Sequence, residues 1–185
     1  ANLVGIDFSS AAVKLAEQHA LRLGLGERAS FRLADMASTG LPTAGFEAVL
    51  SIDAILIASD KLAFLREVGR ILKRGGRFVF TTWEDRLPMP SDEPAAAEKI
   101  YDYRPLLREA GFAVESYEEP YDWESRQRKV YLATLAHAEE IQQEIGEQAA
   151  ASLIAEAEYL TAIHAGKDRL SQSRRILVIA SKALP

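Results

Sequence analysis

Apolar residues fall along this chain in short continuous runs that alternate with stretches of helical spacing. Leu3 to Phe8 is apolar nearly throughout, the pattern of a strand covered on both faces in a parallel sheet. Ser9 or Ser10 can cap the helix that follows. Val13, Leu15, Ala16, Ala20, Leu21 and Leu23 supply its apolar positions, and Gly24 or Gly26 ends it. A second strand is expected over 29–33, running into Ala34-Asp35-Met36, and a third over 46–52, with Gly40, Pro42 and Gly45 marking loop between them. The next helix, about 60–73, carries Leu62, Leu65, Val68, Ile71 and Leu72 on one side. Arg74-Gly75-Gly76 stops it, and a fourth strand is predicted over 77–83. Strands and helices alternating at this spacing predict a doubly wound, mostly parallel α/β sheet.

After Trp83 the rhythm changes. Pro88, Pro90 and Pro94 break the chain, a short helix is expected over 103–110 with Gly111 at its end, and strands over 112–117 and 175–181. Between those strands, 127–145 and 148–165 read as two helices separated near Gly146. They form a helical pair inserted before the last strand, a cap spanning roughly 121–170. No internal repeat or low-complexity tract occurs.

Composition narrows the class. A chain of 185 residues fits a single domain, and 48% apolar with 26% charged residues is globular, which excludes disordered and fibrous readings. With 22 Lys plus Arg against 27 Asp plus Glu, the net charge of -5 offers nucleic acid or anionic lipid no general attraction. There are no cysteines, and His19, His137 and His164 are scattered, so no metal centre is expected. No apolar run approaches the roughly 20 residues of a membrane span, and a cytoplasmic domain with a small-molecule partner is the expectation. Because Ala1 to Phe8 opens directly on a strand-like run with no lead-in, residues upstream of Ala1 are expected as well.

Several chemically capable residues lie where strands end, and open α/β sheets bind ligands beyond those carboxyl ends. Asp7 ends the first strand. Its carboxylate can accept both hydroxyls of a ribose, or it can cap the helix that follows. Asp35 ends the second; it can accept from an exocyclic amine with Met36 packed on a purine face, or make an Asx-turn. The run Leu65 to Phe80, containing Arg70-Ile71-Leu72-Lys73-Arg74-Gly75-Gly76-Arg77, can equally be a well-terminated helix feeding a buried strand.

Together and in this order, these segments resemble the class I S-adenosylmethionine-dependent methyltransferases, in particular the small-molecule and natural-product branch. Val4-Gly5-Ile6-Asp7-Phe8-Ser9 resembles the family's second strand with its ribose-binding acid. Leu33-Ala34-Asp35-Met36 resembles its adenine-contacting loop, and Phe46 to Asp53 the strand beside the methionine part. The Lys-Arg-Gly-Gly stretch is the most specific match, and Tyr103 to Phe112 with Arg174 to Ser181 carries the resemblance to the end of the chain. It implies a Rossmann-like sheet with an antiparallel C-terminal strand. It also implies S-adenosylmethionine as cofactor, held by Asp7, Phe8, Asp35, Met36, Ser51 and Ile52, and methyl transfer to O, N or C of a small organic acceptor.

Two features depart from the family pattern. No Gly-x-Gly-x-Gly turn occurs anywhere, so the family's first strand and its glycine-rich loop are missing from this stretch. Many relatives also carry a histidine shortly after the strand matched by 46–52, and here Ile57 stands near that place. Methyl transfer is an in-line displacement served by contact and a dry site, and it needs a base only if the acceptor must lose a proton. His164, on the same helical face as Leu160 and Ala157, and Asp53, just past a strand end, are the candidates for that role; packing and capping are their ordinary alternatives. Trp83, Tyr121, Trp123 and Tyr131 can line an acceptor pocket or simply pack the helical insertion. The competing readings are a methyltransferase-fold protein that binds without catalysing, and, less well matched, a nicotinamide-dependent Rossmann enzyme with Asp7 on its ribose.

Overall fold

The computed structural model describes residues 2–85, 100–165 and 173–183, with the side chains of 163–165 outside the description. In chain order the elements are β1 (Leu3–Asp7), α1 (Ser10–Arg22), β2 (Ala29–Leu33), β3 (Phe46–Ile52), a 3-10 turn (Ala54–Ile57), α2 (Lys61–Ile71) and β4 (Leu72–Asp85). There follow α3 (Arg104–Glu109), β5 (Phe112–Glu118), α4 (Trp123–Ala136), α5 (Ala138–Ile145), α6 (Glu147–Ala165) and β6 (Ser173–Lys182). The chain divides into two compact units: residues 1–82, 103–116 and 178–185 form the first, and 83–102 with 117–177 the second.

Two sheets result, a parallel pair β1-β2 and a four-stranded sheet in the order β3-β4-β6-β5, with the last strand antiparallel. The alternation of strands and helices gives the Rossmann-like α/β class expected from the sequence. Gly5 pairs with Phe31 across β1 and β2, and the Phe31 ring lies where a Cβ on residue 5 would sit, 2.5 Å away. That close approach accounts for a glycine inside an otherwise bulky strand.

The helices begin and end on readable chemistry. Ser9 caps α1 through its side chain, accepting from the Ala12 amide at 3.3 Å. At the other end the Leu25 amide donates to Ala20 O and the Gly24 amide to Leu21 O, with Gly24 at φ +67°, a Schellman stop. Asp60 caps α2 by accepting from Ala63 N at 2.8 Å. That helix ends at Ile71, before the glycines, because Leu72 is already extended and opens β4. Phe46 pairs with Leu72 but Ala48 pairs with Arg77, so Lys73 to Gly76 form a bulge beside β3.

The core of the first unit is aromatic. Phe78 stacks on Phe80 at 4.7 Å between centroids and meets Phe64 of α2 and Phe112 of β5 edge-on or tilted, while Tyr103 closes on Phe80. Leu65, Val68, Leu72, Leu107, Val178 and Ala180 complete it, all buried. In the second unit, α6 packs along α4 and α5, and Ala150 and Ala157 are its fully buried positions. The sequence predicted one helix over 127–145; the structure begins it earlier, at Trp123, and breaks it at His137. There φ -111° and ψ 24° leave the helical region while the imidazole reaches Glu140 at 3.0 Å. The expected pair is therefore three helices.

Candidate functional site

β1 and β2 run parallel with Asp7 opposite Leu33, and the pairing continues one step further as Ala34 N donates to Asp7 O at 3.0 Å. Both carboxyl ends therefore emerge at one edge, and Asp35 follows two residues after Leu33. A cavity of about 560 Å³ opens there, within the range of small-ligand sites. Asp7, Phe8, Asp35 and Met36 line it together with Ile6, Leu33 and Ala37. The segment after β3 supplies the opposite wall with Ala54, Ile57, Ala58, Ser59 and Asp60.

The two acids are held alike. Asp7 Oδ1 accepts from the Ser9 amide at 2.7 Å, and Asp35 Oδ1 accepts from the Ala37 amide at 2.7 Å. Each side chain is thus fixed by an Asx-turn while its second oxygen has no hydrogen-bond partner among the described residues. The local-turn and ligand-binding readings of these acids are compatible, since the turn occupies one oxygen and aims the carboxylate. Among the described residues no Lys or Arg lines the cavity. Its chemistry is that of an acceptor-rich, largely apolar pocket, suited to hydroxyl and amine donors and to a cationic centre, and poorly suited to phosphate.

Ser51 and Ile52, expected beside the cofactor, are not among the residues lining this cavity. Ser51 is buried with its Oγ lacking a hydrogen-bond partner among the described residues, and Ile52 is exposed. Asp53 does not cap the 3-10 turn with its side chain. It sits in the left-handed region at φ 55°, its amide donating to Thr81 O at 3.0 Å and its Oδ1 accepting from Thr81 Oγ1 at 2.9 Å. Asp tolerates that conformation better than most residues, and it is what turns Ala54 and Ile57 onto the cavity wall. Local pattern does not reveal that wall: Ile57 stands out only as the place of the histidine it is not, and Asp60 only as the approximate start of a helix.

In the second unit, Trp83 and Trp123 pack edge to face at 4.8 Å, and the Arg175 guanidinium lies 5.9 Å over the Trp83 ring. Trp123 is buried and its Nε1 donates to Glu119 at 3.1 Å, Tyr131 receives a bond from Gln127, and Tyr121 is 91% exposed. Two of the four aromatics are therefore packed against each other, and Tyr121 stands at the surface. His164 lies in the last turn of α6, with its side chain outside the described residues. Among the described residues no cluster of potential metal ligands occurs, and no helix is long and apolar enough to cross a membrane.

A Rossmann-like sheet with an acid at each of two adjacent strand tips defines a nucleoside-binding class. The chain belongs to the methyltransferase domain family, whose model matches residues 1–155. Among its relatives, phosphoethanolamine N-methyltransferase 3 of Arabidopsis thaliana is 32% identical over 119 residues, which is 60% of this chain and 24% of that protein. The 27-O-demethylrifamycin SV methyltransferase of Amycolatopsis mediterranei is 27% identical over 130 residues, 63% of this chain and 47% of that one. The chain thus spans a quarter to a half of the length of these relatives. Among solved structures, the [4+2]-cyclase SpnF superposes with a TM-score of 0.73 at 24% identity, covering 100% of this chain and 67% of that one, a likeness of fold. The cofactor of this family is S-adenosylmethionine.

Proposed function

We propose that this domain binds S-adenosylmethionine and transfers its methyl group to O, N or C of a small organic acceptor. The observation that carries the reading is the convergence of Asp7 and Asp35, each with an oxygen to offer, on one cavity flanked by Phe8 and Met36. Those groups fit a nucleoside: Asp7 for the ribose hydroxyls, Asp35 for the exocyclic amine, and Phe8 and Met36 for the faces of the purine. When bound, the cofactor supplies an electrophilic methyl on a sulfonium, and a cavity lined by Asp7, Asp35 and Asp60, with no Lys or Arg among the described residues, favours that positive charge. Ser51 and Ile52 are proposed for the methionine side.

Acceptor chemistry is assigned to the second group of residues. Trp83 near the end of β4, and Tyr121, Trp123 and Tyr131 of the 121–170 helical cap, would contact an apolar or planar acceptor. His164 and Asp53 would hold or receive a proton where the acceptor has one to lose. Relatives that methylate N and O of small molecules support this substrate class, and the net charge of -5 offers a nucleic-acid partner no general attraction.

Isothermal calorimetry with S-adenosylhomocysteine tests the reading on the full chain. Loss of one charged hydrogen-bonding partner costs about 1.5–3 kcal/mol, so Asp7→Ala is expected to weaken binding roughly ten- to a hundredfold. Absence of any heat of binding in the unaltered protein would overturn the proposal.

A further inference from the structure

We infer that Thr39, Glu67 and Arg70 form a positioning clamp that fixes the Asp35–Ala37 wall of the cavity from behind. The inference rests on the cofactor reading above, which gives that wall its purpose. Glu67 lies on α2, buried, and its Oε1 accepts both from the Thr39 amide at 2.8 Å and from the Thr39 hydroxyl. Arg70, one turn along the same helix, donates Nε to Oε2 at 2.7 Å and Nη2 to Oε1 at 2.8 Å, a two-pronged pair. The same guanidinium reaches out to Leu41 O at 2.7 Å and Thr43 Oγ1 at 2.9 Å, while the Leu41 amide returns to Thr39 Oγ1 at 3.1 Å. Backbone bonds from Ala44 N to Arg70 O and Gly45 N to Ile71 O finish the seam.

The geometry explains why this matters for the cavity. Upstream, the chain is pinned at Ala34 by its bond to Asp7 O. Downstream, Thr39 is the first residue held by α2, and Ala37, which lines the cavity, stands two residues before it. Two peptide units span at most about 7.6 Å, so the clamp limits the Asp35-Met36-Ala37 turn to a short segment fixed at both ends. Without it the stretch from Asp35 to Thr43 would be held only by the turn's own bonds, Ala37 N to Asp35 Oδ1 at 2.7 Å and Ser38 N to Asp35 O at 3.1 Å, which shape the turn but do not tie it to α2. Holding a binding loop in its bound shape removes an ordering cost that the ligand must otherwise meet. None of the three side chains lines the cavity, so they act through Asp35 and Met36.

Thr39→Val deletes the hydroxyl and keeps the backbone bond, and Thr39→Ser restores the hydroxyl. Arg70→Lys retains a charge beside Glu67 but loses the reach to Leu41 and Thr43. The readouts are calorimetric binding of S-adenosylhomocysteine and amide hydrogen exchange without ligand, with Arg66→Ala, which breaks the exposed pair between Arg66 of α2 and Glu109 of α3, as control. The expected result is about tenfold weaker binding for Thr39→Val and a smaller loss for Arg70→Lys. Faster exchange should be confined to residues 35–43, with Thr39→Ser and Arg66→Ala unchanged. Binding and exchange in Thr39→Val equal to the unaltered chain would overturn the clamp alone. Failure of the unaltered chain to bind would overturn the cofactor reading and the clamp with it.

Discussion

Glu67 shows how a single residue records its surroundings. Bonding from Arg70 foremost, then from the Thr39 hydroxyl and amide, holds its carboxyl down at about 2 against the ordinary 4.5, although burial pushes the other way. Between those values the unfolded chain binds a proton that the folded chain refuses, so this residue's contribution is fully present above about pH 4.5 and lost as pH falls toward 2. Thermal melts from pH 6 to 3 should show a steeper fall in Tm for the unaltered protein than for Glu67→Gln; parallel curves would contradict the assignment. The acids at the strand tips were legible from sequence because an Asp ending an apolar run is conspicuous. Glu67 was not, since Arg66-Glu67 reads as an ordinary exposed helical pair, and its partner Thr39 lies 28 residues away in a stretch that reads only as loop. Ser51 marks the same limit from the other side: its place at a strand end was readable, its burial with an unpaired Oγ among the described residues was not.

At the scale of elements, short-range chemistry was enough to locate most strands and helices. The runs 3–8, 29–33 and 46–52 became β1, β2 and β3, and Ser9, Gly24, Asp60 and Gly111 act at helix ends. The break at His137 was hidden, because residues of helical pattern flank it on both sides and no Gly or Pro marks it. The Lys-Arg-Gly-Gly segment has a reason that sequence could not supply. Gly75 takes φ +69°, and a Cβ on Gly76 would stand 2.9 Å from Lys73 O and 3.0 Å from Glu47 O, both backbone atoms. Gly76→Ala is therefore expected to destabilise the protein by about 1–3 kcal/mol in urea denaturation. A loss below about 0.5 kcal/mol would show that the bulge yields easily.

For the whole molecule, sequence order predicted the sheet class but not its division. In the structure β1 and β3 each pair on one side only among the described residues, and Leu3, Leu50 and Ile52 on them are exposed. Neither the two compact units nor the opposite cavity wall at 54–60 follows from local pattern, because both depend on which distant segments meet. What does follow from pattern, and what the structure brings together, is the pair of strand tips bearing Asp7 and Asp35. The sharpest test uses the two methionines of the chain, Met36 and Met89. With methionine methyls labelled by carbon-13, titration with S-adenosylhomocysteine should move one signal, assigned to Met36 by its loss in Met36→Leu, and give a nuclear Overhauser contact from that methyl to an adenine proton. Saturable binding that leaves the Met36 methyl unmoved and without such a contact would contradict the account.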